Sequence, residues 1–197
     1  MNTIAFKTLI FALLTVALAP CGFAVDEEEA AIRERIQKVL EAEPDNAAAL
    51  LEQGTLECRL RNFPAALNPL TRVTQLTPED PKAWLALGEA ACEGGKLDLA
   101  LAALSRAVLL DPKNARAHSY LGVTVGRKGW MDGAEAELQR ALELDDSLAE
   151  AHFNLAVVYL RATSPMVELA RRHYRRARDL GAPPDSLVEK QLSESKQ

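Results

Sequence analysis

Three glycines, Gly54, Gly88 and Gly122, stand 34 residues apart, and the same interval separates Ala66, Ala100 and Ala134. Leu70, Leu104 and Leu138 keep it, as do Val73, Ala107 and Ala141. Pro44, Pro78 and Pro112 punctuate successive units, and Asp146 stands where the next proline would fall. A period of this length confines a chain to an array of stacked units, each too small to bury a core alone. Within a unit the apolar residues recur at helical spacing: Trp84, Leu85, Leu87, Gly88 and Ala91, then Leu97, Ala100, Leu101, Leu104, Ala107 and Val108. Two helices per unit follow. Arg61-Asn62, Gly94-Gly95 and Lys128-Gly129 break them, while Asp80-Pro81 and Asn114 suit helix starts. Composition agrees, because the 48% apolar content is mostly Ala and Leu, and aromatics make up only 5%. A glycine inside a helix costs about 1 kcal/mol relative to alanine, so three at one phase imply that close helix packing needs them, with Gly88 expected against Ala100.

Trp84-Leu85-Ala86-Leu87-Gly88, followed by Ala100, Leu104, Ala107 and Pro112, resembles the tetratricopeptide-repeat signature. Leu50, Gly54, Ala66, Leu70, Val73 and Pro78 mark a first unit, in which Gln53 and Glu57 depart from the usual apolar pattern. His118, Leu121, Gly122, Ala134, Leu138 and Ala141 mark a third. A fourth opens on His152, Leu155, Ala156 and Tyr159 and resumes two residues late at Ala170, Tyr174 and Ala177, with an insertion near Thr163-Ser164-Pro165. The resemblance implies an all-α fold, a right-handed superhelical solenoid of antiparallel helix pairs. About four units (47–80, 81–114, 115–148 and 149–183) fill an array over 44–183. A capping helix is expected within 25–43, its apolar face formed by Ile32, Ile36, Val39 and Leu40. A closing helix with Leu187, Val188 and Leu192 and a frayed tail is expected within 184–197.

The resemblance further implies that the first helices line a concave groove for a peptide or protein. That groove would be lined by Leu51, Thr55, Cys58, Arg59, Lys82, Leu85, Glu89, Cys92 and Glu93, then by Arg116, Ser119, Val123, Arg127, Glu150, Phe153, Val157 and Arg161. Leu51, Thr55 and Ala86 stand where the carboxylate-clamping subtype needs Lys and Asn, which disfavours a clamp of that kind. A run of Arg171, Arg172, Arg175, Arg176 and Arg178 is a candidate basic patch, although such a run is usually just a wet helix face with arginine stems covering apolar surface. Residues 25–60 hold ten acidic and four basic residues, whereas 161–197 hold eight basic and five acidic. That polarity allows head-to-tail self-association as an alternative role.

A formal charge of −5 offers no basic excess for a phosphate backbone, so nucleic acid is not an expected partner. His118 and His152 share one column and read as bulky fillers, with His173 alone on the last basic helix. Neighbouring repeat helices stand about 10 Å apart, too far for such a pair to converge on an ion, so no metal or other cofactor is expected. The same spacing keeps Cys58 and Cys92 from bridging. There is no GxSxG elbow, phosphate loop or HExxH, so the expected protein is not an enzyme.

Lys7 followed by the apolar run Thr8 to Ala19 reads as a signal peptide over 1–24, with cleavage after Ala24. The run is shorter than the roughly 20 residues a spanning helix needs. The mature protein would be exported, periplasmic or secreted. Leu18-Ala19-Pro20-Cys21 is nearly a lipobox, spoiled by Pro20, so membrane contact would come only through an uncleaved leader or a lipid at Cys21.

Overall fold

A computed structural model describes residues 21–194, all of whose regular elements are α-helices. Residues 1–20 of the expected leader (1–24) lie outside the described residues. By contacts the chain divides after Arg35. Helix α1 (Cys21–Ala42) runs across that division and carries a Glu29–Arg33 ion pair at 2.9 Å on its N-terminal side. Among the described residues α1 covers 21–42 and so takes in most of the 25–43 segment expected to cap the array.

From Ile36 onward the body is a series of helix pairs. They are α2 (Ala47–Arg59) with α3 (Phe63–Leu76), α4 (Pro81–Glu93) with α5 (Leu97–Leu110), α6 (Ala115–Arg127) with α7 (Met131–Leu144), and α8 (Ala149–Arg161) with α9 (Val167–Asp179). Helix α10 (Ser186–Glu194) closes the series against α9. Leu40, at the end of α1, packs on Leu50, Val73 and Ala83 of the first two pairs. The α8–α9 connection, residues 162–166, is two residues longer than the 60–62 connection, and Met166 N–H spans it to the Tyr159 carbonyl at 3.0 Å.

Local chemistry sets each boundary. Asn46, Asp80 and Asn114 accept hydrogen bonds from the backbone N–H of Ala49, Lys82 and Ala117 at 2.9–3.0 Å, capping α2, α4 and α6. At the other end, N–H groups reach back five residues, Asn62 to Glu57, Lys96 to Ala91 and Trp130 to Val125. This turn needs a left-handed residue. Gly95 (φ 75°) and Gly129 (φ 90°) supply it freely, whereas the first repeat places Arg61 there at φ 58°.

The periodic glycines lie under leucines rather than alanines. A Cβ on Gly54 would stand 2.5 Å from Leu70 Cδ2, and one on Gly88 would stand 2.5 Å from Leu104 Cγ. At Gly122 the neighbours are Leu138 Cγ at 2.7 Å and the Ala134 carbonyl at 3.2 Å. The expected Gly88–Ala100 contact is therefore displaced by about one turn: Ala100 is wholly buried, but Leu104 fills the space the glycine leaves. The fourth pair solves the same problem differently, with Ala156 at the glycine position and Tyr174 at the leucine position, both in the core.

A second repeated device is ionic. Arg72 reaches back to Asp45 (2.6 Å), Arg106 to Glu79 (2.8 Å) and Arg176 to Asp146 (2.9 Å), tying each second helix to the turn that precedes its own pair. In the third repeat that turn carries Lys113, and Arg140 instead pairs with Glu143 within its helix.

Candidate partner-binding face

Helices α2, α4, α6 and α8 contact one another in sequence and so share a face. Of the residues expected to line it, Thr55, Arg59, Lys82, Glu93, Arg116, Arg127, Glu150 and Arg161 are exposed or partly so, and Leu51, Cys58, Leu85, Glu89, Val123, Phe153 and Val157 are half-buried. Cys92 and Ser119 are buried, at 0% and 8% exposure, although they occupy the repeat positions of Cys58 and Phe153; the Arg127 guanidinium covers the Cys92 carbonyl and sulfur. Leu51, Cys58, Leu85, Val123, Phe153 and Val157 also pack against the apolar clusters between pairs.

Most of the expected lining residues gather in two hollows; Lys82 and Glu150 are among those that line neither. The C-terminal one is lined by Val123 and Arg127 of α6, Phe153, Asn154, Val157 and Arg161 of α8, and Leu187, Val188 and Lys190 of α10. Phe153 stands 6.3 Å, ring to ring, from Tyr174, which fixes the floor from beneath. Helix α10 thus forms a wall of the site as well as an end cap, a role that periodicity does not reveal because its segment falls after the last full period. Glu150 lies apart, beside the α9–α10 connection.

The N-terminal hollow brings together Thr55, Cys58, Arg59, Glu89, Glu93 and Arg116, and adds Arg61, Phe63 and Tyr120. Glu89 Oε2 accepts from Arg116 Nη2 at 2.9 Å. Oε1 lies 2.5 Å from Arg116 Nε without accepting a well-aligned hydrogen bond. Burial raises the Glu89 carboxyl above its ordinary range, against the pull of Arg116 and with a further push from Glu93. The Arg116 guanidinium lies over the Tyr120 ring, 5.7 Å from its centre. Cys58 is pushed up to about 11 by burial first, then by Glu89 and Glu57, so its thiol is protonated at neutral pH. Cys58 and Cys92 are both free.

The histidines sit elsewhere. His118 Nδ1 meets Glu137 Oε2 at 2.6 Å and its Nε2 meets the Pro112 carbonyl at 3.1 Å. His152 is not isolated from His173: their Nδ1 atoms are 3.0 Å apart. Nε2 of His152 faces only acceptors, the Asp146 carbonyl at 3.2 Å and carboxylate at 3.4 Å, so it carries the proton and Nδ1 accepts from His173. Once the two-residue insertion is counted, His173 occupies the position of Glu137, a signal present in the sequence. Among the described residues no three His, Cys, Asp or Glu side chains converge to hold a metal ion.

The arginine run on α9 is largely committed inside the molecule. Arg176 pairs with Asp146, Arg171 donates to the Leu192 carbonyl at 2.8 Å, and Arg178 donates to the Ala182 carbonyl. Arg172 and Arg175 stay exposed beside His173. No helix among the described residues is long and apolar enough to cross a membrane.

The sequence matches the profile of the tetratricopeptide repeat in three overlapping registers, residues 30–81, 51–115 and 85–147, which together span more than half the chain. A search of curated proteins finds no match. Among solved structures, MamA superposes with a TM-score of 0.67 at 22% identity, over 89% of this chain and 96% of that one. TTC0263, a thermophilic tetratricopeptide-repeat protein from Thermus thermophilus, gives 0.65 at 25% identity over 88% and 93%. YrrB, a tetratricopeptide-repeat protein with an unusual peptide-binding site, gives 0.67 at 24% identity over 89% and 87%.

Proposed function

Because the chain belongs to the tetratricopeptide-repeat family, we propose that it is an exported scaffold that holds a peptide or protein segment against the face of its first helices, within a cell-envelope assembly. Protein–protein interaction is the family's general role, and its members are in general scaffolds rather than enzymes. The observation that carries the finer reading is the C-terminal hollow: a half-buried apolar floor of Val123, Phe153 and Val157, rimmed by charged side chains on three separate helices. An apolar stripe with polar flanks is how sites for peptides are built. The apolar run after Lys7 supports export.

The test is capture of a native partner from an envelope fraction by the tagged protein and by its V123E and F153E variants. Loss of capture with an unchanged helical circular dichroism spectrum is the expected result, and unchanged capture removes this face from consideration. Val123 and Phe153 also pack partly against the core, so the circular dichroism comparison is read for each variant. Export is tested by sequencing the N-terminus of the mature protein, expected at Val25.

One observation favours a second reading, end-to-end self-association. Arg172 and Arg175 stay exposed at the basic end, and the first residues of the mature chain are strongly acidic. Sedimentation at low and high salt separates the two, since a monomer at every concentration and low ionic strength excludes assembly.

A further inference from the structure

Arg59, Glu93, Arg127 and Arg161 end α2, α4, α6 and α8, one period apart. A basic residue in the last helical turn suits the helix dipole, so position alone accounts for finding arginine there. What each guanidinium does then differs. Arg127 donates through Nη1 to the Cys92 carbonyl, near the end of the preceding first helix, with Cys92 Sγ at 3.7 Å. The equivalent acceptor for Arg161 is the Gly126 carbonyl, and that bond is not made. Arg161 has no hydrogen-bond or ion-pair partner among the described residues, yet it lines the hollow beside Phe153 and Val157.

The acids of the same hollow make no ion pair with Arg161. Asp185 Oδ1 accepts from the backbone N–H of Leu187 and Val188 at 2.9 and 3.0 Å, capping α10, and Glu194 faces Lys190 at 3.8 Å. The hollow therefore presents an apolar floor and an uncommitted guanidinium. A carboxylate is the group that such a guanidinium binds in a fork, and an incoming lysine beside it is repelled.

We infer that the occupant of this hollow is a segment of another protein in which acidic side chains flank large apolar ones, with Arg161 anchoring a side-chain carboxylate. This rests on the reading of the first-helix face as the partner site. Fluorescence anisotropy with three labelled, C-terminally amidated decapeptides tests it: alternating leucine and glutamate, leucine and glutamine, and leucine and lysine. The leucine–glutamate probe binds most tightly, about tenfold better than the glutamine probe, and the lysine probe binds weakest. R161Q brings the glutamate probe to the affinity of the glutamine probe and leaves the latter unchanged, while F153E abolishes both.

Equal binding of the glutamate and glutamine probes, or a glutamate affinity untouched by R161Q, overturns the acidic preference while leaving the face intact. Failure of every probe, or binding insensitive to F153E, overturns the face itself. A glutamine probe with a free carboxyl terminus that matches the glutamate probe reassigns Arg161 to a chain end and refutes the side-chain assignment.

Discussion

Gly88→Ala is a change of one methyl whose outcome follows from two opposed quantities. In favour, alanine in a helix interior is better than glycine by about 1 kcal/mol. Against it, the new Cβ arrives 2.5 Å from Leu104 Cγ and 2.6 Å from Cδ2, with the Leu104 backbone nitrogen at 3.3 Å. Carbon atoms settle at about 3.5–4.0 Å, so the leucine must retreat by about 1 Å. It has no exposed side to retreat to. Overpacking of this kind costs about 1–3 kcal/mol, and the net effect is destabilisation by about 1–2 kcal/mol, the upper half of that range surviving the propensity gain. Gly133→Ala is the internal control. It makes the same substitution inside α7, but its Cβ would meet nothing closer than Val125 Cγ2 at 3.8 Å, so it stabilises by up to about 1 kcal/mol. Urea unfolding followed by helical circular dichroism reads both variants as shifts of midpoint at constant slope. On an L104A background the sign at position 88 reverses, because the methyl then enters vacated space. A Gly88→Ala variant as stable as Gly133→Ala would refute the close-packing account.

Arg61→Gly relieves a left-handed backbone that glycine adopts freely, and thermal denaturation should show a gain of about 0.5 kcal/mol after the looser unfolded chain is counted; a loss would mean that the 5.5 Å contact of Arg61 with the Phe63 ring matters more. Cys58, with its thiol raised from 9.0 to about 11, should alkylate about a hundredfold more slowly at mildly alkaline pH than a free thiol, and Glu89→Gln should speed it; a fast wild-type reaction refutes the burial argument. His173 is held below its usual 6.5 by burial first, then by His152 and Arg172, against Asp146. The unfolded chain therefore binds the proton more readily, and the contribution is present above pH 6.5 and lost as pH falls through that value toward the lowered one. Thermal midpoints across this window should fall less steeply in H173L than in the natural protein.

The repeat was legible because glycine, alanine and leucine each keep one phase, and the physics that selects them acts within a single helix pair. The lining of the face was legible only in part. Cys92 and Ser119 share repeat positions with Cys58 and Phe153 yet are buried where those are half-buried, so phase within the period does not decide exposure; for Cys92 the covering group is Arg127 of the next repeat. The arginine ties were also legible only in part. Arg72 and Arg106 find their partners 27 residues back, one period apart, but the third repeat puts Lys113 at the acid's position and the fourth moves the partner to Asp146, 30 residues back. The His152–His173 pair is obscured by the two-residue insertion, which moves His173 out of register with Glu137. The wall formed by α10 could not be read from periodicity, since it follows the last full period.

The substantial contacts between helices of the body never reach beyond the next helix or the one after it, and this gives the protein a grammar more than a blueprint. A unit such as residues 81–114 touches its predecessor and its successor through surfaces built on the same glycine, alanine and leucine phases. Excising that whole unit would join two ends already shaped for one another. Length is in that sense a free variable: a chain of this kind can lose or gain a whole unit in one step and keep every remaining junction, while a loss one residue shorter or longer would break the junction at the splice.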